Sequence, residues 1–156
     1  MNKIIFLLGV LLFFASCKKD GFSSSPEVSF TSLTPNTWTV NNLDLNTPVL
    51  TFQLKDAEGD FTSNDSVFVK AMFTGQLPGN CSVIDTSLVK AFLFPDVPSN
   101  NSNMEAEISV NINKLIPFIR GYHCYSDTIN FQFYVKDHAG HQSNIAQTSD
   151  FYYIVP

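Results

Sequence analysis

The chain has 156 residues, 44% of them hydrophobic, 15% charged, with a formal net charge of −5. That length suits one domain with a sizeable buried core. An acidic balance argues against a nucleic-acid partner, because neutralising phosphates needs a basic patch.

The first twenty residues, MNKIIFLLGVLLFFASCKKD, have the layout of an export signal. Lys3 supplies a positive start, Ile4 to Phe14 form an apolar run, and Ala15-Ser16 are small residues suited to a peptidase. The run is too short and wrongly flanked for a transmembrane helix. Cleavage before Cys17 would remove residues 1–16 and leave eight basic against fourteen acidic side chains. Phe14-Ala15-Ser16-Cys17 resembles the lipobox of bacterial lipoproteins, with Phe14 where Leu is usual. Ser16-Cys17-Lys18-Lys19-Asp20 is similar to many Bacteroidota-type lipoproteins. The resemblance implies a diacylglycerol on the Cys17 sulfur and attachment to the outer membrane of a Gram-negative cell, facing the periplasm or the surface. The competing reading is an ordinary secretory signal followed by a chance cysteine. With no second apolar run of spanning length, the anchor would be lipid alone, at about 0.8 kcal/mol per buried methylene.

Residues 17–25 combine the candidate lipidated cysteine with a polar, Ser- and Gly-rich tether. The domain is expected over residues 26–156. Its two remaining cysteines, Cys81 and Cys124, suit a disulfide in an oxidising compartment. Closing a loop of about forty residues, such a bond contributes roughly 2–4 kcal/mol. The alternative is two small buried thiols.

From Val28 onward the apolar period is two. Val28 and Phe30 alternate with polar neighbours, and Trp38 and Val40 follow the break at Pro35. Leu50, Phe52 and Leu54 form one set, and Val67, Val69, Ala71 and Phe73 another. Leu88 to Phe94 is apolar on both sides except for Lys90, the pattern of a central strand. Met104 to Ile112 and Ile129 to Val135 alternate strictly, and Asp150 to Val155 is aromatic and β-prone. Turn-forming clusters separate these runs. The expectation is all-β, an antiparallel sandwich of about seven to nine strands. Lys114 to Tyr125, interrupted by Pro117 and Gly121, lacks the alternation and suits a helical turn or crossover.

Two stretches carry a further resemblance: Leu50 to Phe61, LTFQLKDAEGDF, and Phe131 to Asn144, FQFYVKDHAGHQSN. A strand ending in an Asp/Gly-rich loop, and a penultimate strand ending in an Asp-x-Ala-Gly turn, resemble the Ig-like or cadherin-like β-sandwich domains of Bacteroidota-type lipoproteins. The resemblance spans most of residues 26–156 and implies an immunoglobulin-like sandwich. Ala57, Glu58 and His141 depart from its pattern.

Several constellations invite chemistry. Asp56, Glu58, Asp60 and Asp65 alternate around Gly59, and Asp137 from a second loop could add an oxygen ligand for Ca2+. The favoured alternative is a solvated acidic turn, with Gly59 at positive φ and Asp side chains capping backbone amides. His138 and His141, with His123, read as exposed turn histidines rather than a zinc site. Trp38, Tyr122 and Tyr125 could stack on a glycan, against the competing reading of core packing. Ser66 and Thr128 sit in Asp-Ser/Thr-apolar triplets that resemble Bacteroidota O-glycosylation acceptors.

No Gly-x-Ser-x-Gly, His-Glu-x-x-His, Walker or Gly-x-Gly-x-x-Gly motif occurs. The expected function is a non-catalytic binding or scaffolding module for an envelope protein or glycan. The alternative is a Ca2+-stiffened adhesion or spacer domain, and a hydrolase ranks third.

Overall fold

The computed structural model describes residues 23–39, 47–74, 89–96, 102–115, 117–119 and 126–155. Nine strands appear among them: β1 (Glu27–Thr34), β2 (Thr37–Thr39), β3 (Val49–Asp56), β4 (Ser66–Phe73), β5 (Val89–Leu93), β6 (Met104–Asn111), β7 (Asp127–Lys136), β8 (Ala146–Gln147) and β9 (Phe151–Ile154). They form two packed sheets. The smaller has the order β1-β3-β6, and the larger β2-β9-β7-β4-β5, with β8 against β7. The chain is all-β and sandwich-like.

The period-two runs become the two inner faces. Leu50, Phe52 and Leu54 of β3, Val67, Val69 and Ala71 of β4, and Ile129, Phe131, Phe133 and Val135 of β7 are all buried. Phe52 from the smaller sheet meets Phe133 from the larger at 5.1 Å between ring centroids. At about 25 cal/mol per Å² of apolar surface, this burial is the main favourable term in folding. Val28 and Leu33 of β1 are both buried, although an odd spacing puts two residues on opposite faces of a regular strand. A register shift between Phe30 and Ser32 inserts one residue and returns Leu33 to the core.

After β1 the chain changes sheets. β1 runs antiparallel to β3, whereas β2 runs parallel to β9. This parallel pair, the one among the described strands, departs from the all-antiparallel expectation, and it follows from a single extended segment that serves both sheets in turn.

β5 corrects a second expectation. Among the described strands it lies at an edge of the larger sheet, paired with β4. Phe92 faces inward, while Val89 and Leu93 are 41% and 69% exposed. Lys90 is accommodated at an inward register position opposite Val69. Its ammonium sits 3.7 Å from the centroid of the Phe118 ring. In the segment expected to break the pattern, a 3-10 helix covers Asn113–Leu115 and residues 117–119 are helical. Leu115 and Ile119 are buried there.

Candidate functional site

β3 and β7 belong to different sheets, yet their C-terminal ends come together. β3 runs into the turn at Ala57 to Gly59, and β7 into the turn at His138 to His141. Gly59 has φ 60° and Gly140 φ 91°, so both turns use the left-handed region that glycine enters without cost from a Cβ. Asn144 holds the second turn to β1. Its Oδ1 accepts the Val28 amide at 2.8 Å, and its Nδ2 donates to the Val28 carbonyl at 2.9 Å.

Each acidic side chain at this end has a distinct environment. Asp65 caps its own turn, its Oδ2 accepting from the Thr62 amide (2.6 Å) and the Thr62 hydroxyl (3.1 Å). Asp137, buried, accepts the His141 amide at Oδ1 (2.7 Å) and lies 2.9 Å from the His141 Nδ1 through Oδ2. Asp56 is 0% exposed and accepts the Gly59 amide at Oδ2 (2.7 Å), while its Oδ1 has no hydrogen-bond partner. Asp60 Oδ1 is likewise buried without a partner. Burial pushes the Asp56 carboxyl above its ordinary value, against the pull of the Gly59 and Glu58 amides, and the charges of Asp60 and Asp137 push the same way.

His141 is the residue that sequence reasoning set aside. Donor atoms of Glu58, Asp137 and His141 all lie within 4.8 Å of one another. The hydrogen bond and charge of Asp137 raise the His141 pKa above 6.5, and Glu58 and Asp60 add to the rise. Glu58 stands more than seventy residues earlier in the chain, so no local pattern could pair it with His141. Asp65 is not part of this group, and its nearest histidine is His138, at 4.0 Å from Oδ1.

Trp38 is a core residue rather than a stacking platform. It is 2% exposed, with Phe151 at 6.1 Å and Tyr153 at 6.4 Å edge-on to its ring, which leaves no face for a sugar. Its intended companions Tyr122 and Tyr125 lie outside the described residues, as do Cys17, Cys81, Cys124 and the signal segment. Ser66 opens β4 and Thr128 is the second residue of β7, both half-buried. Thr128 lines a shallow groove of about 340 Å³ with Thr37, Ser126, Asp127, Tyr152 and Ile154. Among the described residues, no helix is long and apolar enough to cross a membrane.

The two outer faces differ in kind. Across β3 and β6 three of the four outward pairs are polar, Thr51 with Ser109 at 3.0 Å, Gln53 with Glu107 at 3.0 Å, and Lys55 with Glu105 at 3.1 Å, and the fourth sets Val49 opposite Asn111. Across β5, β4 and β7 the outward positions hold Val89, Ala91 and Leu93, then Ser66, Phe68, Lys70 and Met72, then Asn130, Gln132, Tyr134 and Lys136. Phe68 and Tyr134 stack at 4.9 Å and 9°, and Lys136 lies 5.5 Å from the Phe68 centroid. No outward residue of β4, β5 or the 132–136 half of β7 is acidic, in a chain that is acidic overall.

Comparison with known families, with characterised proteins and with solved structures finds no match to this chain.

Proposed function

We propose that this chain is a lipid-tethered, non-catalytic binding module of the bacterial cell envelope, and that the outer face of its larger sheet is the surface that engages an envelope protein. The tether is the acylated Cys17 of a Bacteroidota-type lipoprotein, held at the outer membrane. The domain is an immunoglobulin-like sandwich. The strand order supports this: β1-β3-β6 in one sheet, β9-β7-β4-β5 in the other, and a first strand shared between them.

The observation that carries the reading is the apolar strip on the outward side of β5, β4 and β7. Sheets that face water on one side present polar residues there, as β3 and β6 do. Exposed aliphatic and aromatic side chains rimmed by polar ones mark a protein contact surface. Leu93 and Val89 also sit on an edge strand, whose backbone groups can pair with an extended segment of a partner. Phe68 and Tyr134 spend one ring face each on the other, which favours a protein partner over a glycan laid flat on two open rings. Lys70 and Lys136 suit acidic groups on that partner.

The test is the size of the complex extracted from the host membrane in mild detergent. The wild-type protein should run as a defined assembly larger than its monomer. Leu93→Glu and Met72→Glu should each release it as a monomer, while Thr51→Glu on the opposite sheet should not. A monomeric wild type, or an assembly that survives both changes, contradicts the reading. Absence of acyl mass on Cys17 removes the tether separately.

A further inference from the structure

At the end of the sandwich where β3 and β7 terminate, four carboxylates and one imidazole converge. Glu58, Asp137 and His141 offer donor atoms within 4.8 Å of one another. Asp137 Oδ2 and His141 Nδ1 are 2.9 Å apart. Metal–ligand bonds of about 2.1 Å at right angles place adjacent donors about 3 Å apart, so this is the spacing of two neighbouring positions around one ion.

A second observation is independent of that spacing. Asp56 is 0% exposed, and its Oδ1 has no hydrogen-bond partner. Asp56 ends β3 and its Oδ2 accepts the Gly59 amide at 2.7 Å, so it closes the same turn that carries Glu58. Asp60 Oδ1 is also buried without a partner. A buried carboxylate oxygen left unpaired costs about 1–3 kcal/mol or more, and like charges beside it add to that cost. His141 is exposed, and its Nδ1 lies against Asp137 Oδ2.

We propose that Glu58, Asp137 and His141 bind one divalent transition-metal ion of the zinc or manganese class, with buried Asp56 and half-buried Asp60 as further negative charge on the turn after β3. An imidazole among the donors selects against Ca2+ and Mg2+, which take oxygen, and suits Zn2+ or Mn2+. Asp65 stays outside the set because its oxygens do not gather with the other donors, and Thr62 of its own turn holds Oδ2. The ion joins a residue that follows β3 to two that follow β7, so it staples the smaller sheet to the larger. It does so beside the entry of the tether, where the Ala57 amide donates to the Ser23 carbonyl at 3.2 Å. The staple is independent of the sheet-face binding surface.

The experiment is calorimetric titration of the chelator-treated protein with ZnCl2, MnCl2 and CaCl2, with the melting temperature read alongside. One Zn2+ or Mn2+ should bind per chain and raise the melting temperature, with Ca2+ weaker. His141→Gln and Glu58→Gln should each weaken binding at least tenfold, since even an outer contact to a metal ligand is worth about 10–100-fold. Far-UV circular dichroism checks that both variants remain folded. His138→Gln, in the same turn but outside the donor set, should leave affinity unchanged. No heat with Zn2+ or Mn2+, preference for Ca2+ with His141→Gln unaffected, or equal loss in His138→Gln each overturns the proposal.

Discussion

The outer faces of the two sheets are built from the same backbone geometry and opposite chemistry. On the smaller sheet three of the four outward residues of β3 are polar and bonded across to β6, Thr51 with Ser109, Gln53 with Glu107 and Lys55 with Glu105. Exposed pairs of this kind contribute little to stability, but they present water with the hydration it favours. On the larger sheet, the outward side of β5, β4 and β7 presents aliphatic and aromatic side chains, with Lys70 and Lys136 the charged ones. Leu93 at 69% exposure lies outside the buried core, whereas its neighbour Phe92 at 3% belongs to it. On the function proposed above, the contrast separates what the chain requires to fold from what it holds ready for another molecule.

The contrast can be broken most severely from inside. Phe133 is fully buried and meets Phe52 from the other sheet, so Phe133→Ala should cost about 3–5 kcal/mol and weaken both faces together. Urea denaturation measures it, and a loss under about 1 kcal/mol would mean that the sheets do not share one core. Next in size, Asn144→Ala removes both bonds to the Val28 backbone and should cost about 1–3 kcal/mol. Leu93→Glu should leave stability within about 0.5 kcal/mol, as exposed substitutions do, while abolishing the membrane complex. Lys55→Ala, on the polar face, should cost less than about 1 kcal/mol and leave the complex intact.

A pH dependence sharpens the comparison at the end of the sandwich. In metal-free protein the folded-state pKa of His141 lies above 6.5 because of Asp137. The stabilising contribution is therefore full below about pH 6.5 and is lost as pH rises through the folded value. NMR titration should show His141 titrating above the ordinary histidine range, and Asp137→Asn should lower it. Titration of His141 at or below 6.5 in wild type would contradict the pairing.

The strands of the core were legible because period-two alternation is local. Leu50, Phe52 and Leu54 declare their face without reference to anything else in the chain. Leu88 to Phe94 misled because apolar residues on both sides of a strand look the same whether the second side meets a sheet or a partner. Trp38 was undecided for a related reason. Its strand is three residues long, and its cover, Phe151 and Tyr153, lies at the far end of the sequence. The acidic loop was legible as a cluster, and the turn-capping role weighed for it is what Asp65 performs. The share of His141 was not legible, since Asp137 reaches it within one turn but Glu58 joins them only after two sheets have packed.

Lysine labelling in the native membrane tests the binding face most directly. Reactivity of Lys70 and Lys136 on the larger sheet is compared with that of Lys55 on the smaller, by mass spectrometry, before and after purification to monomer. The account predicts that Lys70 and Lys136 are protected in the membrane and become reactive on purification, with Lys55 unchanged. Equal reactivity of all three in both states would contradict it.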